Sequence, residues 1–156
     1  MRSISLTVNG RQIMRDVDPE MPLLYFLSDD LALRGPKFGC GQALCGSCTA
    51  LVNGKPIRSC VTPVGTVEGA GIVTLEGLGS VDKPHPIQQA FINEQASQCG
   101  FCLNGVILTA KAFLDERPDA TDAQIREALA TVLCRCGVNV RMLRAIRRYA
   151  DGKATA

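Results

Sequence analysis

Residues 3–8, Ser-Ile-Ser-Leu-Thr-Val, alternate polar and apolar with a period of two, the pattern of a half-buried strand. Asn9-Gly10 is a preferred two-residue hairpin turn, so residues 12–17 are expected to return as the partner strand. Pro22 suits the first turn of a helix. Leu23, Leu24, Phe26 and Leu27 give that short helix a wide apolar face. Asp29 and Asp30 sit at the terminus where the helix dipole disfavours them, which predicts a stop there. Further on, Thr49–Val52 predicts a strand, Asn53-Gly54 a second hairpin turn, residues 57–64 the continuing sheet, and residues 72–75 a last short strand. Gly77, Gly79 and residues 81–86, with two prolines around His85, read as a linker.

From Pro86 the period changes to that of helices. Ile87, Ala90, Phe91 and Ala96 form one stripe. Val106, Leu108, Ala110, Ala112, Phe113 and Leu114 form a second, more apolar helix that must stop before Pro118. Thr121-Asp122-Ala123-Gln124 reads as a capping box opening a third helix, with Ile125, Ala128, Leu129 and Val132 inward. A fourth is expected from about Val140 to Ala150, with Leu143, Ile146 and Tyr149 facing in and Arg141, Arg144, Arg147 and Arg148 facing out. Helices this short need one another's apolar faces to be stable. The fold class expected is therefore α+β, with a sheet domain over residues 1–78, a linker over 79–86, and a four-helix domain over 87–156.

A chain of 156 residues can bury a sizeable core. Its longest apolar runs fall short of the roughly 18 residues that span a bilayer, and no apolar leader core precedes the first strand. The expected location is cytoplasmic, with co-export on a signal-bearing partner as the alternative. The formal charge of +2 makes no case for nucleic acid.

The eight cysteines change the picture most. Cys40, Cys45 and Cys48 are spaced C-x4-C-x2-C, with Cys60 following. Four thiolates at that spacing are the plant-type [2Fe–2S] arrangement. Gly35, Gly39, Gly41 and Gly46 suit a loop that turns sharply and aims backbone N–H groups at sulfide. Zinc sites usually show two C-x2–4-C pairs, so zinc fits this loop poorly. Strand, hairpin, strand, helix, cysteine loop, strand, hairpin, strand is also the order of a β-grasp ferredoxin. Cys99, Cys102, Cys134 and Cys136 read C-x2-C and C-x-C in two interhelical turns, which an antiparallel four-helix arrangement brings to one end. Spacing alone leaves iron–sulfur and zinc both open for this second set. Disulfides fit neither the clustering nor the setting. Two oxidised clusters with their thiolates would carry the +2 chain to roughly −2.

Little else in the sequence suggests chemistry. His85 is the only histidine and has no partner for general-base work, so it reads as a surface or packing residue. Gly39-Cys40-Gly41 is not a dinucleotide fingerprint, because no third glycine follows at the right offset. The arginines of the last helix read as a solvated face, with an acidic docking partner as the sharper alternative.

Gly39-Cys40-Gly41 through Cys45-Gly46-Ser47-Cys48-Thr49, Arg58-Ser59-Cys60, Gln98-Cys99-Gly100-Phe101-Cys102 and Leu133-Cys134-Arg135-Cys136 together resemble the small iron–sulfur subunit of the molybdenum hydroxylases, the xanthine oxidase family, over essentially the whole chain. The resemblance implies that Cys99, Cys102, Cys134 and Cys136 hold a second [2Fe–2S] cluster rather than zinc. It implies a large partner subunit that binds molybdopterin cytosine dinucleotide and hydroxylates the substrate with oxygen from water. The helical-domain cluster would take electrons first and the β-grasp cluster would pass them outward, with no catalytic residue on this chain. By motif position, Gln98 and Cys136 would approach the pterin. Many relatives read Cys-Thr-Pro-Gly where this chain has Cys102-Leu103-Asn104-Gly105, and Cys-Arg-Cys-Thr-Gly-Tyr where Cys136 is followed by Gly137-Val138-Asn139. Both variants are similar to the nicotinate dehydrogenase and isoquinoline oxidoreductase branch. In that branch the flavin subunit is often absent and a cytochrome c can accept the electrons, an arrangement some bacterial aldehyde dehydrogenases share. A free-standing ferredoxin-like carrier is the rival of another class.

Overall fold

A computed structural model describes residues 1–152. Strands β1 (Arg2–Val8) and β2 (Arg11–Val17) form the expected hairpin. Helix α1 (Leu23–Tyr25) widens into a π turn over Phe26–Asp30 and ends where the two aspartates oppose the dipole. Strands β3 (Thr49–Val52), β4 (Lys55–Arg58) and β5 (Gly71–Val73) complete a five-stranded sheet in the order β2-β1-β5-β3-β4. The β1–β5 pair is parallel and the others antiparallel. Ile4, Leu6 and Val8 of β1 point inward and meet Leu23 of α1 and Phe26 and Leu27 of the π turn beneath the sheet. The period-two pattern and the apolar helix face thus build one core, as in a β-grasp.

The strand expected over 57–64 stops at Arg58. The next residues serve α1 instead of the ladder: Ser59 C=O accepts Leu24 N–H (3.0 Å) and Thr62 C=O accepts Leu23 N–H (2.8 Å). Otherwise orphaned N–H groups at the helix start find partners there. Likewise β5 ends at Val73, because Asn9 takes over Thr74. Its Oδ1 accepts Thr74 N–H and its Nδ2 donates to Thr74 Oγ1, both at 2.9 Å.

The second half packs α2 (Pro86–Asn93), α3 (Leu103–Glu116), α4 (Asp122–Ala128) and α5 (Asn139–Ala150) around Ile87, Val106, Ile125 and Ile146. The Thr121/Gln124 capping box opens α4. His85 is itself a cap: its Nδ1 accepts Ile87 N–H (3.2 Å), and its ring lies 5.8 Å from that of Tyr149. The third helix is shorter than its apolar pattern suggests. It ends at Ala128, a 3-10 turn follows, and Val132 is extended (φ −120, ψ 120). Val132 belongs to the contact between the halves, where it packs on Gly46 and Gly105. Two of the four arginines expected to be solvated are paired. Arg147 donates to Asp122 Oδ1 (2.6 and 2.8 Å) and to Ala120 C=O, and Arg148 donates to Glu94 Oε1 (2.9 Å). Met142 and Ala145 join Ile146 in the core, while Leu143 and Tyr149 are half-buried beside it.

The halves share a small apolar seam, Leu51 of β3 against Leu108 and Ala112 of α3. Among the described residues no helix is long and apolar enough to cross a membrane. The end of the expected helical domain, 153–156, lies outside the described residues.

Candidate functional site

The two cysteine sets lie one in each half. The first rides on the loop between α1 and β3, with Cys60 just past β4. This loop is folded tightly around its sulfurs. Gln42, Leu44 and Cys45 N–H groups donate to Cys40 Sγ at 3.3–3.4 Å. These donors, Gln42 and Cys45 foremost, hold the Cys40 thiol down at about 6, so it is largely thiolate near neutral pH. A Cβ on Gly39 would lie 2.8 Å from Cys45 Sγ, and Gly46 sits at φ +79 against Val132 and Thr131. Ala43, at φ +62, adopts the left-handed region without a glycine's freedom, a strained setting of the kind found at ligand sites. Cys48 is 1% exposed, and burial pushes its thiol up to about 11.

The second set lies in the turns that lead into α3 and α5. The sulfurs of Cys99 and Cys136 are 3.4 Å apart, so the two turns do meet at one end of the helices. Cys99 is shifted down by the Phe101 N–H and then by Cys136. Burial, then the neighbouring Cys134, pushes Cys102 up to about 12.

The sulfur contacts come in twos: Cys40 with Cys45, Cys48 with Cys60, Cys99 with Cys136, and Cys102 with Cys134. Among the described residues no three His, Cys, Asp or Glu side chains converge on one point, as a single metal ion asks. Two pairs per set is the division that a two-iron core needs from four thiolates. A buried thiol such as Cys48 or Cys102 stays neutral near pH 7 unless a metal replaces its proton. Together with the N–H donors and the glycine cradle, the donor sets fit [2Fe–2S] groups.

Contacts that no motif announced join the sets. Cys45 C=O accepts Leu133 N–H at 3.0 Å. Arg58 donates to Thr49 Oγ1 (2.7 Å) and across the seam to Thr131 C=O and Oγ1 (3.0 and 2.9 Å). Asn104, fully buried in the first turn of α3, donates to Ser47 C=O (3.0 Å) and Thr49 C=O (2.7 Å). Within the first half, Glu76 Oε1 accepts Arg34 and Gly35 N–H (2.7 and 2.6 Å), and its Oε2 accepts the Thr74 hydroxyl (2.7 Å). Burial raises the Glu76 carboxyl, but these donors outweigh it and leave it below the ordinary value. Gln98 is exposed beside Cys99. The only sequence signal for Asn104 was a polar residue where the family pattern has proline.

Two compact halves, each presenting four paired sulfurs, define a two-domain iron–sulfur protein. Family comparison agrees: residues 6–69 match the 2Fe-2S iron-sulfur cluster binding domain and residues 74–147 match the [2Fe-2S] binding domain. The chain belongs to the small iron–sulfur subunits of the molybdenum hydroxylase family. It is 54% identical to a nicotinate dehydrogenase subunit of Pseudomonas putida over 149 residues, 96% of this chain and 95% of that one. It is 44% identical to the alpha subunit of isoquinoline 1-oxidoreductase from Brevundimonas diminuta, covering 97% of this chain and 99% of the relative. Among solved structures, the aldehyde oxidoreductase of Desulfovibrio desulfuricans superposes with a TM-score of 0.93 at 36% identity, over 98% of this chain and 18% of that chain.

Proposed function

We propose that this chain relays electrons from a molybdopterin site on a large partner subunit to an external acceptor, with Cys40, Cys45, Cys48 and Cys60 holding one [2Fe–2S] group and Cys99, Cys102, Cys134 and Cys136 the other. Each such group, when bound, takes up and gives back a single electron. The observation that carries the reading is the Leu133 N–H to Cys45 C=O hydrogen bond. Leu133 precedes Cys134, so one hydrogen bond and a few covalent bonds connect a cysteine of one set to a cysteine of the other. The half containing residues 87–156 receives electrons and the half containing residues 1–78 passes them out, with 79–86 as linker. Gln98 and Cys136 face the pterin of the partner, in its cytosine dinucleotide form. Exposed Phe101, Leu133 and Val140 near that end of the helices support a partner surface there.

The substrate proposed is an N-heteroaromatic such as nicotinate, hydroxylated on the partner with oxygen from water. The name and 54% identity of the Pseudomonas putida relative favour it. Aldehyde oxidation is the second reading, favoured by the Desulfovibrio desulfuricans structure. A cytochrome c is the proposed acceptor in preference to a flavin subunit, and the complex is cytoplasmic unless its partner exports it. Cys40→Ser tests the electron order. In the intact complex the substrate should still reduce molybdenum and the helical-domain group, while steady-state turnover with the external acceptor falls to near zero. Undiminished turnover would contradict the order, and a monomer that never copurifies with molybdenum would favour a free carrier.

A further inference from the structure

We infer that Asn104 is a positioning residue for Cys48 and tunes the β-grasp group from the opposite half of the molecule. This rests on the two-cluster reading above. Asn104 stands two residues after Cys102, in the first turn of the helix that leaves the second cysteine set. Its side chain does not serve its own half. Nδ2 donates to Ser47 C=O and Thr49 C=O, the carbonyls on either side of Cys48. Ser47 C=O also accepts Lys37 N–H (3.0 Å). The carbonyl between them, that of Cys48, accepts the Ser59 hydroxyl (2.6 Å). Three successive carbonyls around the most buried cysteine of the first set are therefore held, two of them by one amide.

The orientation of that amide is settled by its neighbours. Both groups facing Nδ2 are carbonyl oxygens, which only accept, so the amide cannot be turned over. Among the described residues its Oδ1 has no hydrogen-bond partner although it is buried, near Gly35, where an added Cβ would come within 3.2 Å of it. An unmet buried acceptor is costly, and the donor pair is the compensating feature. A proline at this position, as the family pattern has it, could not make either bond. Donation to Ser47 C=O polarises the Ser47–Cys48 peptide and makes its N–H a stronger dipole beside the Cys48 sulfur. Oriented donors stabilise the more negative, reduced state of an iron–sulfur group, so removing Asn104 should lower the potential of the β-grasp group alone.

The test uses the full complex reduced stepwise, with the two reduced-state EPR signals followed separately. Asn104→Ala should move the midpoint of the β-grasp signal to lower potential and alter its g-values, leaving the helical signal in place. Thr109→Ala, on the same helix and also buried, should move neither. Asn104→Ser, whose hydroxyl is too short to span both carbonyls, gives the same comparison where the alanine variant does not fold. An unchanged β-grasp midpoint in a folded Asn104 variant, or a shift confined to the helical signal, would overturn the inference. A wild-type complex without two such signals would instead overturn the cluster reading, and this inference with it.

Discussion

Gly105 lies in α3 one residue beyond Asn104, packed closely against Gly46 of the other half. A Cβ placed there would sit 2.3 Å from Gly46 C=O oxygen, 2.9 Å from its carbon and 3.1 Å from Val132 Cγ1. Gly105→Ala has two opposed consequences. Alanine is the better helix former by about 1 kcal/mol at most. Against that, the oxygen must retreat by most of an ångström, and overpacking of this kind costs about 1–3 kcal/mol. The groups that must yield are backbone on both sides. Gly46 sits between Cys45, which is bonded to Leu133, and Ser47, which is bonded to Asn104. The cost therefore falls at the upper end and the net loss is about 1–2 kcal/mol. For a domain of this size that is a fall of about 2–8 °C in Tm. Calorimetry of wild type and variant at equal iron content measures it. An unchanged or higher Tm in the variant would refute the claim that α3 and the cysteine loop are locked together at Gly105.

Other consequences are open to measurement. Cys134→Ser should abolish the helical-domain EPR signal and keep the β-grasp signal, since the ligand sets belong to separate halves; loss of both in a folded variant would argue against that partition. Glu76 has a folded-state carboxyl below its ordinary value, so its stabilisation is present above about pH 4.5 and fades as pH falls through the folded value. Glu76→Gln should accordingly lower Tm at pH 7, with the gap to wild type closing in more acid solution, and a gap that widens on acidification would reverse the sign.

The sequence carried the local structure well. The alternation over residues 3–8, the Asn-Gly turns and the Thr121 capping box depend only on near neighbours, and each appears where its pattern places it. The departures share a cause. Residues 57–64 look like strand, yet Ser59 and Thr62 are taken up by α1. Val132 continues an apolar helical stripe, yet it is drawn out to pack on Gly46 and Gly105. Arg147 and Arg148 look solvated until Asp122 and Glu94 fold against them. In every instance a partner distant along the chain overrides local preference. Cysteine spacing is a local property that the sequence displays directly, whereas the links between the sets are not. Leu133 to Cys45, Arg58 to Thr131 and Asn104 to Ser47 bridge residues far apart in sequence, and no motif marks them.

The proposed two-cluster relay within a molybdenum hydroxylase makes a prediction about metal content. Purification of the tagged chain from its native host, with iron and molybdenum quantified per chain, tests it most directly. A relay of this kind should carry about four irons per chain, with stoichiometric molybdenum on a large copurifying partner. Zinc in place of iron, or iron with no molybdenum under conditions that preserve the complex, would contradict it.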